Sequence, residues 1–366
     1  METSSISQIL GALGSVPNDT SDAAELKDIS LPERIIESLI LTVICVVAIF
    51  GNVLLWLVVL RSRHLRKASN ALVLCLSGAD LLVSTVNMPM TIVTIAAGEW
   101  IFSDEFCMAL GFINMNTFVA SVMSLGAISI NRYVLIVRPQ KYPTIYSKRN
   151  TVLIIIGVWL LSVLLSCPPL VGWAEYAFLP GQSFCFCNWK SSVSYTYFMV
   201  GVCFGGPCSL MIFSYVSILL EVKRSRQRVE VDGETVRDHR DHLTVPSVAG
   251  SLGRMKNHER QKRKREEELK LTKSFVVVIV IFIISWLPFC VTMFWSVHSG
   301  TPVPRPVDMA TLLLGYFNSC CNPIVYGVMN KRFRQGYMKL LGCKTSESTS
   351  FSSQDVTKTC HSVTAT

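Results

Sequence analysis

Seven long apolar runs, separated by polar segments, dominate the pattern of the chain. A helix rises about 1.5 Å per residue and the hydrocarbon core of a bilayer is about 30 Å thick, so each run is long enough to cross it. The pattern predicts an all-α membrane protein, a bundle of seven transmembrane helices. The runs cover about 35–60, 70–96, 106–137, 151–173, 194–221, 271–298 and 307–328.

The third run is the longest of the seven and carries different chemistry at its two ends. The stretch from Cys107 to Pro139, which includes most of this run, predicts a helix of roughly 48 Å, longer than the membrane core is thick. Asn131, Arg132 and Tyr133 lie near its second end. We expect this helix to carry a covalent tether outside the membrane and a fixed charge inside the cell.

Basic residues are concentrated in alternate segments between the runs. The segments after the first and third runs are basic, whereas the alternate segments carry acidic residues such as Glu99 and Glu175. Because basic loops stay in the cytoplasm, the N-terminus is expected outside the cell and the C-terminus inside, across the plasma membrane. The predicted organisation is an extracellular tail (1–31), a transmembrane domain (32–343) and a cytoplasmic tail (344–366).

Composition excludes several classes of protein. Half of the residues are apolar and 16% are charged, a combination that soluble domains rarely have. The net charge of +9 lies in the segments between runs, so we expect membrane lipids and not nucleic acid as its partner. Most of the 13 cysteines lie inside apolar runs, which predicts buried thiols. The runs carry no catalytic motif and no repeated halves, which argues against an enzyme or a carrier.

Polar segments outside the bundle have predicted roles of their own. The segment of about 222–270 is rich in Lys and Arg and is expected to be mostly disordered in its middle and to meet anionic lipid or a partner. Residues 330–341 alternate apolar and basic residues, which predicts a short amphipathic eighth helix on the inner leaflet. Cys343 is a candidate palmitoylation site and Asn18 a candidate glycosylation site. The Ser/Thr-rich tail is available to kinases.

Asp80 lies near the middle of the second run. A carboxylate at that depth costs roughly 2.5–3.5 kcal/mol and needs partners. Other polar residues fall at similar depth, and together they predict an oxygen-lined site for a hydrated Na⁺ ion. The alternative is a protonated Asp80 satisfied by hydrogen bonds alone. The predicted site consists of Asn52, Asp80, Ser121, Asn318, Ser319 and Asn322.

Two proline motifs predict kinks in the last two runs. Trp286 precedes Pro288 in the sixth run, and Pro323 precedes Tyr326 in the seventh. Proline kinks are tolerated in membrane helices when neighbours satisfy the freed carbonyls. Such kinks offer two packings of similar energy, which a signalling switch requires.

Taken together, these motifs resemble the rhodopsin-like family of G-protein-coupled receptors over roughly 35–342. The resemblance implies activation of a heterotrimeric G protein by a small-molecule ligand, with arrestin and receptor kinases acting at the C-terminal tail. Two stretches, 130–147 and 316–330, are most similar in pattern to melatonin receptors. The motifs are Asn52, Leu76–Asp80, Asn131–Tyr133, Trp159, Pro207 with Tyr215, Trp286–Pro288 and Asn322–Tyr326.

The resemblance also implies a disulfide and a switch. Cys107 is expected to bond to Cys185 or Cys187, and spacing like that of melatonin receptors favours Cys185. Arg132 is expected to pair with Glu268 in the inactive state. The implied switch comprises Asn131, Arg132, Tyr133, Tyr215, Glu268, Trp286, Pro288, Pro323 and Tyr326.

A mostly apolar pocket is implied for the ligand, which favours a neutral, partly apolar small molecule. Asn114 stands where amine receptors have an aspartate, and Tyr316 stands where opsins have the retinal lysine, so neither an amine nor covalent retinal is expected. The alternative is a constitutively active or non-signalling opsin-related membrane protein. The implied pocket consists of Asn114, Phe118, Met199, Cys203, Trp286, Phe289, Met293 and Tyr316.

Overall fold

The computed structural model describes residues 29–240, 248–299 and 301–342, and of residues 226, 228–240 and 248–265 it describes the backbone alone. Asn18, Cys343 and the tail that follows lie outside the described residues. The predicted glycosylation, palmitoylation and kinase sites therefore stay predictions.

Seven long helices and a short eighth form the described fold, as the apolar pattern predicts. Short 3₁₀ turns follow α1 (Arg63–Leu65) and α4 (Pro168–Val171), and a one-turn helix, Tyr142–Ile145, joins α3 to α4. The helices are α1 (Leu31–Arg61), α2 (Ala68–Leu82, a π-helical turn Val83–Asn87, and Met88–Ala97), α3 (Asp104–Val137), α4 (Lys148–Ser166), α5 (Val193–Met199, a π-helical turn Val200–Gly205, and Gly206–Arg240), α6 (Val248–His298), α7 (Arg305–Met329) and α8 (Lys331–Leu340).

Six of the described helices, α1 to α6, are long and apolar enough to cross a membrane by length and composition. The seventh helix of the bundle, α7, is more polar, because Asn318, Ser319 and Asn322 lie in its middle. These three side chains are buried. α7 packs along α6 and α1, so its polar face is turned towards protein and not towards lipid.

A β-hairpin between α4 and α5 was not foreseen from the sequence. β1 (Tyr176–Leu179) pairs antiparallel with β2 (Phe184–Cys187), with Tyr176 opposite Cys187. All four residues of β2 are buried, and the strand packs against α3. The hairpin is therefore part of the protein interior, at the end of the bundle that carries Cys107. That end is called the disulfide end below, and the opposite end is called the Arg132 end.

The basic segment of about 222–270 is helical where its backbone is described, and the disorder expected in its middle stays a prediction. α5 continues to Arg240 and α6 begins at Val248, so helix extends into the segment from both sides. Lys, Arg and Glu are good helix formers, and the described parts of the segment contain no proline to stop either helix. Residues 241–247 lie outside the described residues.

The short helix α8 docks closely on the Arg132 end of the bundle. The Asn330 side chain caps it by accepting a hydrogen bond from the Arg332 backbone N–H at 3.0 Å. A Cβ atom at Gly336 would come within 2.5 Å of Val58, so only glycine permits this approach to α1. The ring of Phe333 is fully buried. Its close packing fixes α8 against the bundle.

Candidate functional site

A disulfide joins the hairpin to the start of α3. Cys107 and Cys185 are bonded, with their Cα atoms 5.3 Å apart, which confirms Cys185 as the partner and excludes Cys187. The Cys187 thiol is free and fully buried. Burial raises the pKa of this thiol to about 12, because a thiolate loses its hydration there. Cys187 therefore packs as a small apolar side chain.

An interior cavity lies beneath the hairpin, between α2, α3, α6 and α7. Its volume is about 40 Å³, enough for roughly three water molecules at about 10–15 Å³ each. It extends from the hairpin down to Asp80. The lining consists of Asp80, Val83, Asn114, Thr117, Phe118, Ser121, Phe184, Phe186, Phe282, Trp286, Phe289, Thr311, Leu312, Gly315, Tyr316, Asn318 and Ser319.

Five of the residues expected in the ligand pocket line this cavity: Asn114, Phe118, Trp286, Phe289 and Tyr316.

The other three expected pocket residues, Met199, Cys203 and Met293, are buried but do not line the cavity. The sulfur atoms of Met199 and Cys203 lie 3.9 Å apart, and both residues belong to the packed core. Met199 immediately precedes the π-helical turn Val200–Gly205 of α5, and Cys203 lies within that turn. The turn changes which side chains of the helix face inward.

Two aromatic side chains of β2 fill the top of the cavity. The rings of Phe184 and Phe186 stack with centroids 5.4 Å apart. Phe186 meets Phe289 edge to face at 6.0 Å, and Phe184 meets Tyr316 at 6.4 Å. Sequence reasoning missed both, because a loop carries no periodic signal of which residues it buries. The alternating Phe-Cys-Phe-Cys pattern of 184–187 is the one signal that could have indicated a strand.

Asn114 makes a direct bond to the hairpin. Its Nδ2 atom donates a hydrogen bond to the backbone carbonyl of Cys185 at 2.9 Å, and the residue is buried. The residue expected to anchor a ligand thus helps hold β2 in place.

Trp286 forms the floor of the aromatic part of the cavity. Its ring lies 4.6 Å from that of Phe118 and 5.8 Å from that of Phe289. A Cβ atom at Gly315 would come within 3.4 Å of the indole, so α7 approaches Trp286 closely. Trp286 lies two residues before Pro288 within α6, so a ligand that displaces the indole acts next to the proline of that helix.

Asp80 lies at the lower end of the cavity and is 4% exposed. Its Oδ2 atom accepts a hydrogen bond from Asn322 Nδ2 at 2.8 Å. Ser121, Asn318 and Ser319 share the same wall. These side chains present carboxylate, hydroxyl and amide oxygens, the ligands that a hard cation such as Na⁺ prefers.

Asn52, the sixth residue expected in this network, makes its hydrogen bonds beside the cavity. Its amide donates to the Ser319 carbonyl at 3.0 Å and its oxygen accepts from Ser77 at 2.7 Å. It therefore joins α1, α2 and α7 beside the candidate ion site and does not line it. Among the described residues no three His, Cys, Asp or Glu side chains cluster as a metal site, so the donor set would suit only a cation held mainly by neutral oxygens.

Arg132 is buried at the other end of the bundle and faces α6. Its Nη1 atom lies 3.0 Å from Glu268 Oε2, and its guanidinium stacks over the Phe275 ring at 4.7 Å. Glu268 also approaches Lys67, with 3.6 Å between Oε1 and Nζ. One carboxylate on α6 therefore meets cations from α3 and from the turn before α2.

The residues on either side of Arg132 in the sequence make separate contacts. The Asn131 oxygen accepts a hydrogen bond from Ser69 at 2.7 Å, and its amide donates to the Tyr142 hydroxyl at 3.3 Å. The Tyr133 ring packs 5.6 Å from that of Phe213 on α5. Asn131 thus binds α2 and the α3–α4 connection and makes no ion pair with Arg132.

Two tyrosines near the Arg132 end have buried hydroxyls. The hydroxyls of Tyr215 and Tyr326 have no hydrogen-bond partner among the described residues. The Tyr326 ring lies 5.7 Å from both Phe275 and Phe333. Pro288 and Pro323 lie inside α6 and α7, as the kink motifs require.

Comparison with known families matches residues 51–326 to the seven-transmembrane receptor (rhodopsin family) model. The chain belongs to this family. It is therefore a G-protein-coupled receptor, a multi-pass membrane protein and not an enzyme. Its partner classes are a small-molecule ligand and a heterotrimeric G protein.

Individual relatives of the receptor carry the names of amine receptors. The alpha-1A adrenergic receptor of Oryzias latipes is 31% identical over 327 residues, which is 86% of this chain and 68% of that protein. The octopamine receptor beta-2R of Chilo suppressalis is 29% identical over 311 residues, which is 83% of this chain and 79% of that protein. The similarity to melatonin receptors in particular stays a prediction.

Squid rhodopsin is a structural neighbour of the receptor, with a TM-score of 0.71 and 22% identity, and the match covers 87% of this chain and 89% of that one. At this identity the likeness shows the fold alone.

Proposed function

We propose that the receptor transmits the binding of a neutral, partly apolar extracellular molecule, bound in the interior cavity, to heterotrimeric G proteins at the Arg132 end. The observation that supports this proposal is the chemistry of the upper cavity. Its lining there is largely aromatic, and the Asn114 amide is committed to the Cys185 carbonyl at 2.9 Å. A neutral ligand requires no charged partner in such a site.

A charged amine is the competing ligand class, because the adrenergic and octopamine receptors named above are relatives. A buried ammonium needs a carboxylate partner, and an unpaired buried charge costs several kcal/mol. Asn114 supplies an amide in place of a carboxylate. Asp80, the acidic residue of the described lining, lies at the opposite end of the cavity and accepts a hydrogen bond from Asn322.

Ligand entry requires the side chains of β2 to move. A cavity of about 40 Å³ is far smaller than the roughly 300–1,000 Å³ that small-molecule sites usually provide. Phe184 and Phe186 occupy the upper part of this space. We infer that the ligand displaces one or both rings and makes its contacts with Phe118, Trp286 and Phe289 in their place.

Signal transfer would run along α6. Trp286 lies against the cavity, and Glu268 lies eighteen residues earlier on the same helix, about 27 Å away along its axis. A change of the kink at Pro288 moves Glu268 relative to Arg132 and separates the ion pair. The Arg132 end then becomes free to accept a G protein.

Sodium would stabilise the resting arrangement. Asp80, Ser121, Asn318 and Ser319 would hold the ion in the lower cavity, where its charge offsets the cost of burying the carboxylate. The alternative is a protonated Asp80 whose hydrogen bonds suffice.

The orientation of the receptor and its regulatory partners are further parts of the proposal. We infer from the basic segments that the disulfide end faces outside the cell. Arrestin and receptor kinases would act on the Ser/Thr-rich tail.

A G-protein biosensor panel in cells tests the proposal. The receptor is first assayed without ligand, because a constitutively active or non-signalling protein is the alternative. It is then assayed with neutral apolar compounds, with octopamine and adrenaline, and with melatonin. Melatonin is not expected to act, because Pro169 and Trp189 stand where melatonin receptors have an asparagine and a glutamine. We expect activation by a member of the neutral set only. Nanomolar activation of the unmodified receptor by a monoamine would overturn the neutral-ligand proposal.

The variant Asn114→Asp provides the matched comparison. It places a carboxylate at the level where an ammonium would bind, with nearly unchanged side-chain volume. We expect it to gain sensitivity to monoamines that the unmodified receptor lacks.

A further inference from the structure

A tyrosine of α8 is hydrogen-bonded to the proline of α7. The Tyr337 hydroxyl donates to the backbone carbonyl of Pro323 at 3.3 Å, although the two residues are 14 positions apart in the chain. Pro323 is buried and lies inside α7, at the point where a proline bends a helix. The bond therefore connects the short eighth helix directly to the bend of the seventh.

Gly327 makes this contact possible. It lies four residues after Pro323, on the same face of α7. A Cβ atom at Gly327 would come within 2.8 Å of the Tyr337 ring, too close for a contact between two carbon atoms. The ring thus occupies the space that a side chain would take, and its hydroxyl reaches the carbonyl one turn earlier in the helix.

The Pro323 carbonyl has two donors. α7 is helical from Arg305 to Met329, and within an α-helix this carbonyl accepts the N–H of the residue four positions later, Gly327. The Tyr337 hydroxyl is a second donor that approaches from outside the helix. A carbonyl bonded from outside tilts away from the helix axis, and such tilting accompanies bending. The hydroxyl therefore favours the bent form of α7.

α1 supports the other side of the same bend. Pro323 has no N–H, so the Ser319 carbonyl lacks its helical donor. The Asn52 amide of α1 donates to this carbonyl at 3.0 Å. A Cβ atom at Gly51 would come within 3.0 Å of the Pro323 ring, so α1 approaches the proline closely. The bend is held by α1 at the carbonyl one turn before the proline and by α8 at the carbonyl of the proline itself.

The bond from Tyr337 is sensitive to small movements of α7. Burial raises the pKa of the Tyr337 phenol above its usual value, so the hydroxyl keeps its proton and remains a donor at physiological pH. The separation of 3.3 Å is longer than the roughly 2.7–2.8 Å that is usual for O–H···O bonds. A shift of Pro323 away from α8 by about 0.3 Å would take the pair out of hydrogen-bonding range.

We propose that Tyr337 is a positioning residue of the receptor's switch, whose hydroxyl holds the bend at Pro323 in the resting arrangement and couples that bend to the docking of α8. The ion pair of Arg132 and Glu268 is closed at 3.0 Å in the same arrangement. An interaction made in only one of two arrangements shifts the equilibrium towards that arrangement. The proposal rests on the proposed switching of the bundle and is independent of the ligand.

Basal G-protein signalling of the full-length receptor, measured without ligand in cells, tests the role of the hydroxyl. Tyr337→Phe keeps the ring in place and removes only the donor. Because a long, neutral hydrogen bond lies at the weak end of its range, we expect basal signalling at matched surface expression to rise roughly threefold. Glu268→Ala, which removes the ion pair itself, is the reference for an opened switch.

Tyr195→Phe is the matched control. The Tyr195 hydroxyl also donates to a helix carbonyl, that of Leu165 on α4, at 3.0 Å, but it does so at the disulfide end of the bundle. We expect this variant to lower the melting temperature of the purified receptor at least as much as Tyr337→Phe does, and to leave basal signalling unchanged. A purely structural role of the Tyr337 hydroxyl would change the melting temperature alone.

Gly327→Ala tests whether the hydroxyl acts through Pro323. The added methyl group lies where the Tyr337 ring packs, so this variant should raise basal signalling by itself. In the Gly327→Ala background, Tyr337→Phe should have no further effect, because the hydroxyl no longer reaches the carbonyl. An equal rise from Tyr337→Phe in both backgrounds would overturn this route. If Gly327→Ala does not reach the cell surface, the comparison of Tyr337→Phe with Tyr195→Phe decides.

Basal signalling that does not rise in Tyr337→Phe, or that rises equally in Tyr195→Phe, would overturn the proposal. The reference variant separates this failure from a failure of the switch. A rise in Glu268→Ala without a rise in Tyr337→Phe would reject the role of Tyr337 and leave the switch intact. No rise in either variant would reject the switch as well.

Discussion

Arg132 on α3 and Glu268 on α6 form an ion pair with 3.0 Å between Nη1 and Oε2, in which the Arg132 side chain is 1% exposed and that of Glu268 is 25% exposed. A partly exposed pair contributes about 1 kcal/mol, or about fivefold in a two-state equilibrium. We therefore expect Glu268→Ala to raise basal G-protein signalling several-fold in a biosensor assay. The control is Glu267→Ala, which removes the neighbouring pair with Arg332 and leaves the Arg132 pair intact. Unchanged or lower basal signalling in Glu268→Ala would exclude this restraint.

Asp80→Asn should abolish the response of the receptor to sodium. The amide keeps the size of the buried side chain and removes both its desolvation cost and its charge, so surface expression should be retained. The measurement is basal or agonist-driven signalling in membranes titrated with NaCl, with choline chloride at equal ionic strength as the control. If sodium acts identically on both forms, the cation site does not exist as proposed.

Cys187 should resist alkylation in the folded receptor. Because burial raises the pKa of its thiol to about 12, the reactive thiolate is scarce at neutral pH and gains population only as the pH rises towards that value. Peptide mapping after iodoacetamide treatment at pH 7.5 should find Cys187 unmodified and Cys107 linked to Cys185. After denaturation without reduction, Cys187 should react. A Cys107–Cys187 linkage would contradict the structure.

Phe186→Ala should change the potency of a ligand of the interior cavity by about tenfold, because the ring occupies space that the ligand must enter and contacts Phe289. Phe178→Ala is the matched control. That ring belongs to the same hairpin but stacks on Trp100 at 5.6 Å, away from the cavity. Equal shifts in the two variants would indicate that the hairpin acts only through its stability.

Arg305→Ala should lower the thermal stability of the receptor in detergent. Arg305 binds Glu37 through two bonds of 2.9 and 2.8 Å, and both side chains are only 10% exposed. Removing the arginine leaves Glu37 buried without its partner, at a cost of about 3 kcal/mol. Arg332→Ala breaks a more exposed pair and should cost less than about 1 kcal/mol. Similar melting temperatures for the two variants would contradict this difference.

The sequence predicts those features that local chemistry determines. Apolar length defines the seven helices, and cysteine placement limits the partners of Cys107 to two. Contacts across the fold were not predictable in the same way. Arg305 and Glu37 are 268 residues apart, and neither belongs to a periodic pattern that indicates the other.

The cavity illustrates the same limit. The family resemblance leads to Asn114, Phe118 and Trp286, and Asn114 and Phe118 share one face of α3 because they are four residues apart. Phe184 and Phe186 were missed because a hairpin buried in a bundle depends on tertiary packing and not on a helical period. Met199 and Cys203 were placed in the pocket by the family resemblance, which gives no indication of the π-helical turn in α5.

The two π-helical turns, Val83–Asn87 in α2 and Val200–Gly205 in α5, determine how the receptor should be compared with its relatives. A π-helical turn contains about one residue more than an α-helical turn, and one residue corresponds to a rotation of about 100°. A relative that lacks either turn needs one residue fewer at that point to present the same face to its neighbours. An alignment with such a relative requires a single-residue gap inside the turn, and a gap placed in a loop instead would assign every position between loop and turn to the wrong face.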